Sequence, residues 1–105
     1  KPGRLLFIAG QTASDQDGNV VGKGDIEAQT HQVFRNLAAV LKEAGGSLDN
    51  LVMTTTYITD IQHREGYNRV RTQYYKKTAP TSTLVVIKGL AREEYMIEIA
   101  GIAVI

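Results

Sequence analysis

The last ten residues, Met96 to Ile105, constrain the fold of this chain more than any other stretch. Side chains alternate along a strand, so Ile97, Ile99, Ala103 and Ile105 share one face while Met96, Ile102 and Val104 share the other. Both faces are apolar, and a strand of that kind has to be covered on both sides. With 105 residues the chain makes a single domain, residues 1–105, with a modest core. Two helices can cover one face of its sheet. The other face needs a partner, and the commonest partner of a small chain is a second copy of itself.

The remaining elements follow from local signals. Leu5 to Ala9 is a short apolar run closed by Gly10, a buried strand. Asp17-Gly18 is a tight-turn pair, so Asn19-Val20-Val21 is expected to fold back as a brief second strand. Asp25 is a helix N-cap, and Ile26, Val33, Phe34, Leu37, Val40, Leu41 and Ala44 recur at three- and four-residue steps on one helical face. Gly45-Gly46 ends that helix. Val52 to Thr59 is rich in β-branched residues and reads as a strand closed by Asp60. A second helix is predicted from about Gln62 to Tyr75, turning Tyr67, Val70, Tyr74 and Tyr75 inward, although Gly66 within it weakens helix propensity. Pro80 ends the next loop. Ser82 to Ile87 and Met96 to Ile105 are the last two strands. The expected class is α+β, a β-β-α-β-α-β-β mixed sheet with two helices on one face.

Composition narrows the function. The net charge is +1 with both signs interspersed, whereas a nucleic-acid binder shows a basic block or stripe; Lys76-Lys77 is short and reads as a solvated helix end. There is no cysteine, which removes disulfides, thiolate nucleophiles and cysteine-ligated metals. No apolar run reaches the about 20 residues that span a bilayer. Lys1-Pro2-Gly3-Arg4 with Leu5 to Ala9 is too short to read as a signal peptide. The expectation is a cytoplasmic protein with no membrane partner.

Several motifs fail on inspection. His31 and His63 lie on different predicted helices with no third ligand at a zinc spacing, and His31 is expected to be exposed. Asp15, Asp17 and Asn19 imitate the opening of a calcium loop, but Val20 takes the place of its glycine and Ile26 that of its glutamate. Gly22-Lys23-Gly24 lacks the P-loop spacing and the hydroxyl residue after the lysine.

In chain order, Ile8-Ala9-Gly10-Gln11, Gln29, Asn36-Leu37, Leu41-Lys42-Glu43-Ala44-Gly45, Thr55-Thr56-Tyr57-Ile58-Thr59-Asp60, Asn68, Pro80 and Ile97-Glu98-Ile99-Ala100-Gly101-Ile102-Ala103 together resemble the RidA (YjgF-like) family. That resemblance implies a chorismate-mutase-like fold and a homotrimer with small-molecule clefts between subunits. It also implies hydrolysis of reactive enamines or imines, such as 2-aminoacrylate, to 2-keto acids and ammonia, with no metal or organic cofactor. Carried over residue by residue, Glu98 is the glutamate that positions or activates the attacking water. Ala9, Gly10, Gln11, Asn68, Thr81, Ser82 and Thr83 are the expected substrate-binding positions. Three of these readings have structural alternatives: Glu98 as an ion-pair partner across a trimer interface, Asn68 as a residue holding its own helix end, and Thr81-Ser82-Thr83 as only the start of a strand rather than a hydroxyl-lined pocket.

Two departures bear on activity. The family's deaminases carry Arg in a Pro-Ala-Arg-Ser/Thr stretch, understood to clamp the substrate carboxylate. Here the stretch is Pro80-Thr81-Ser82-Thr83, with Ser82 at the arginine position. A hydroxyl offers one neutral hydrogen bond, where a charge-assisted pair is roughly twice as strong. Ala9 stands where Ser is usual, and the family's upstream cleft aromatic precedes Lys1. Arg69, Arg71, Arg92 and Lys88 are candidate replacement cations, and Tyr95 a candidate cleft cover or a packing residue. The expected function is an enamine or imine deaminase with an altered clamp; the alternative is a non-enzymatic trimer that binds or senses a small metabolite. An RNA-cleaving reading finds neither a basic surface nor a paired-histidine site.

Overall fold

Asp25 opens the longest element as expected: its Oδ1 accepts from the Ala28 amide at 3.1 Å, satisfying one of the helix's free N–H groups. In the computed structural model, which describes residues 3–105, this helix is α1 (Ile26–Glu43). Lys1 and Pro2, weighed above as part of a signal sequence, lie outside the described residues. Gln29, Thr30, Val33, Phe34, Leu37 and Leu41 are buried along one side of α1. Its end is a Schellman turn. Gly45 takes a φ of +88°, its amide reaches the Lys42 carbonyl at 3.0 Å, and the Gly46 amide reaches that of Leu41 at 2.8 Å.

Around α1 the elements run β1 (Leu5–Gln11), α1, β2 (Leu51–Ile58), α2 (Arg64–Tyr74), β3 (Thr81–Val86) and β4 (Ile97–Val104), with single 3₁₀ turns at Leu48–Asn50 and Ile61–His63. The four strands form one mixed sheet in the order β1-β4-β2-β3. β4 is antiparallel to both neighbours, while β2 and β3 are parallel. Parallel strands need a crossover, and α2 provides it. Gly66 earns its place there, since a Cβ would stand 2.6 Å from Ile26 Cγ2 where α2 crosses α1. Tyr67 and Val70 turn into the core, and the Tyr67 hydroxyl meets Thr56 Oγ1 at 3.0 Å. Tyr74 stacks on Phe34 with ring centroids 4.6 Å apart, and Tyr75 meets Phe34 edge-on at 5.4 Å.

The second short strand is reduced to one bridge, Ser14 to Val20. Asp15 explains this: its Oδ1 accepts from the Asp17 and Asn19 amides, each at 2.9 Å, so its side chain binds backbone groups within the turn. Beyond Val21, Gly22 (φ +76°) turns the chain away before a ladder can extend.

β4 alternates as read. Ile97, Ile99, Gly101 and Ala103 are buried against the helices, while Glu98, Ala100, Ile102 and Val104 face the other way. Ile105 lies beyond the strand and bonds to the Arg4 backbone. By register, Leu5, Phe7, Met53 and Val85 join the outward set. That face has no helix on it: Phe7 is 71% exposed and Met53 47%. Among the described residues, no helix is long and apolar enough to cross a membrane.

Candidate functional site

Glu98 stands on the uncovered face of the central strand β4, beside Tyr57 of β2. Its other neighbour is set by an irregularity in β1. Ile8 pairs with Gly101 but Gln11 pairs with Ile99, so β1 advances three residues while β4 advances two, a bulge. The bulge carries Gly10 onto the Glu98 side chain. A Cβ on Gly10 would lie 2.2 Å from Glu98 Oε2, 2.5 Å from its Cδ and 2.8 Å from its Cγ. Glycine is therefore dictated here by the close approach of a carboxylate. Beside it, the Ala9 carbonyl accepts from Gln11 Nε2 at 2.9 Å.

Two hollows adjoin this point. One, of about 490 Å³, lies on the uncovered face and is lined by Phe7, Ala9, Met53, Thr55, Ala100 and Ile102. The other, of about 700 Å³, runs between the loop after β1 and the flank of α1, past Gly10, Gln11, Thr12, Ser14, Gln32 and Asn36. Asn36 Nδ2 fixes that loop by donating to the Thr12 and Ser14 carbonyls, both at 2.9 Å. The loop is also held from β4's side by the hydrogen bond between the Tyr95 and Ser14 hydroxyls. That bond draws the Tyr95 phenol below its ordinary value, ahead of the opposing effect of burial.

The other expected site residues do not gather around Glu98 within one chain. Thr81, Ser82 and Thr83 open β3 beside Met53, Thr54 and Thr55. Strand alternation turns Thr81 and Thr83 to the uncovered face and Ser82 to the helix side with buried Thr54. The three hydroxyls thus cannot line one pocket. β3 also lies two strand spacings, about 10 Å, from β4. Asn68 is half-buried on α2, whose neighbouring Tyr67 reaches Thr56 on the helix-covered side; the sheet separates it from Glu98.

Most of the candidate cations are engaged elsewhere. Arg69 pairs with Glu27 at 3.0 Å, Arg71 lies over the Tyr67 ring, and Arg92 donates to the Gly18 carbonyl at 2.8 Å while covering Tyr95. Lys88 is exposed. Tyr95 is buried, so it packs rather than covers a cleft. His31, expected to be exposed, is half-buried with Nδ1 2.7 Å from the Tyr74 hydroxyl, because α1 and α2 close on each other there. Among the described residues no three His, Asp or Glu side chains cluster as metal ligands. Burial pushes the Tyr75 hydroxyl above its ordinary value.

The Gly10–Glu98 contact yields a separable prediction. Gly10→Ala should displace the carboxylate, the flexible end of its side chain, and lower any Glu98-dependent turnover about tenfold while moving the urea midpoint little. A large stability loss with proportionate activity loss would instead mark Gly10 as structural.

A family model described as Endoribonuclease L-PSP matches residues 1–105. A RutC family protein of Saccharolobus solfataricus is 39% identical over 104 residues, covering 98% of this chain and 81% of that protein. A crystal structure of a protein of unknown function from the Rid family of Yersinia pestis superposes with a TM-score of 0.90 at 32% identity, covering 99% of this chain and 80% of that one. RidA from an Antarctic Psychrobacter superposes with a TM-score of 0.90 at 28% identity, covering 100% and 84%. With the mixed sheet, the two helices on one side and a match along its whole length, this chain belongs to the RidA (YjgF/RutC) family.

Proposed function

We propose that this protein hydrolyses a small enamine or imine to a carbonyl compound and ammonia, using Glu98 and a substrate clamp altered from that of its relatives. The observation that carries this reading is the glutamate set against the β1 bulge, its carboxylate packed on Gly10, with one hollow lined by Gly10 and Gln11 and another by Ala9 and Ala100 close by. The chemistry needs one group that can take and return a proton. Glu98 accepts a proton from water as the water oxygen bonds to the imine carbon, and returns it to the nitrogen. On collapse of the resulting carbinolamine the hydroxyl proton passes by way of Glu98 to the nitrogen as the C–N bond breaks and the C=O bond forms, releasing ammonia and leaving Glu98 as it began. One water is consumed, and the chemistry calls for no metal or organic cofactor.

The uncovered apolar face supports self-association, and a homotrimer is the form the resemblance implies. In such an assembly the Thr81–Thr83 segment or Asn68 of one copy would complete the cleft at Glu98 of another. Sedimentation of the 11.5 kDa chain is expected at the mass of three chains; a monomer or dimer mass would contradict this. The lack of cysteine suits a reducing, cytoplasmic setting.

Ser82 gives the clamp its altered character. A hydroxyl there suits a substrate without an α-carboxylate, or with the carboxylate held elsewhere. The test is ammonia release from freshly generated imines with and without an α-carboxylate, for wild type and Ser82→Arg. Wild type should favour the uncharged imines, and Ser82→Arg should shift preference toward the carboxylate-bearing ones by roughly tenfold. Ser82 is exposed, so the longer side chain fits without disturbing the core. Failure of wild type to release ammonia from any imine would favour the second reading, a trimer that binds or senses a metabolite; Ser82 in the arginine position is the observation on its side.

A further inference from the structure

We propose that the groove between the ends of α1 and α2 binds a small organic anion, a phosphate or carboxylate carried on an apolar body. The groove encloses about 420 Å³, and Ala38, Leu48 and Tyr74 line it together with Lys42, Lys76 and Lys77. The aromatic wall is fixed, because the Tyr74 ring stacks on Phe34 and its hydroxyl is held by His31.

The charge count sets the sign of the ligand. Three lysines and one acidic residue, Asp49, line the groove, and among the described residues none of these lysines is in salt-bridge contact with an acidic side chain. Two helix C-termini also end here, each equivalent to about half a negative charge. Together with Asp49 these offset about two positive charges, leaving an excess of about one. The lysines are not needed as hydrogen-bonding caps either. The amides of Gly45 and Gly46 and the Arg4 guanidinium already occupy carbonyls at the end of α1, and the Tyr75 amide reaches that of Arg71. An anionic head among the lysines and an apolar body against Tyr74 and Leu48 match this lining. The groove lies on the helical side of the sheet, away from Glu98, so the proposal stands independently of the hydrolase reading.

The test is an amide-resolved NMR titration of the whole protein at low ionic strength, where surface charges are least screened. The probes are phenyl phosphate, phenylacetate, inorganic phosphate and benzyl alcohol. Phenyl phosphate or phenylacetate should give saturable shifts confined to the amides of Ser47–Asp49 and Tyr74–Lys77, and the tighter of the two identifies the head group. Lys76→Gln/Lys77→Gln should weaken that binding about tenfold, and inorganic phosphate should bind about tenfold more weakly for want of the apolar body. Benzyl alcohol should not saturate. Absence of saturable shifts with both aromatic anions, equal binding by the double variant, or equal binding of inorganic phosphate or benzyl alcohol would overturn the proposal.

Discussion

Gln29→Leu is expected to lower the unfolding free energy by about 3 kcal/mol. Gln29 is wholly buried near the start of α1, yet its side chain makes three hydrogen bonds, all to backbone groups. Its Nε2 donates to the Gly22 carbonyl at 3.2 Å and the Glu94 carbonyl at 2.8 Å, and its Oε1 accepts from the Met96 amide at 2.8 Å. One amide group thus joins the helix to the turn before it and to the entry of β4. Leucine keeps the approximate volume but leaves three backbone groups without partners, each worth about 1 kcal/mol net and more where water cannot reach. A urea unfolding curve reads the change as a lower midpoint at unchanged slope. A loss below about 0.5 kcal/mol, the range of ordinary surface substitutions, would show that solvent replaces these bonds.

That residue also marks where sequence reasoning stops. The apolar stripe of α1, its Asp25 cap and its Gly45 stop are local signals, and local signals carried the helix to within a residue or two. The two-faced apolar pattern of β4 called for helices on one face and a partner on the other, and the structure has helices on one face alone; its place between β1 and β2 was not read. Gln29 was legible only as part of a resemblance, because its partners are 7, 65 and 67 residues away and a polar residue on an apolar stripe carries no mark of what it bonds. Tyr95 and Ser14 are joined across 81 residues, with no local sign of it. The brief strand at Asn19–Val21 was overread because Asp17-Gly18 signals a turn but not how far the ladder continues beyond it.

For the site, position and direction separate. That Glu98 and Gly10 belong together was readable only through resemblance; their contact depends on a bulge in β1 that a single sequence does not announce. Ser82 shows the opposite case, since the resemblance grouped it with Thr81 and Thr83 as one binding segment. The parallel register with β2 sends it to the other side of the sheet. Side-chain direction at a strand's start depends on register, and register is a tertiary property.

The largest expected functional effect is at Glu98. Glutamine preserves the size of the side chain and its fit against Gly10, but it cannot accept a proton from water. General acid–base groups contribute about 10²- to 10⁴-fold, so Glu98→Gln should lose imine hydrolysis by at least about 100-fold. Its urea midpoint should stay near that of wild type, because Glu98 faces away from the core and makes no ion pair among the described residues. The most direct test of the whole account is the rate of ammonia release by wild type and Glu98→Gln on the imine that wild type turns over fastest. The account predicts turnover by wild type and a rate for the variant close to that of buffer. Equal rates for the two proteins would contradict it, placing the chemistry on another group.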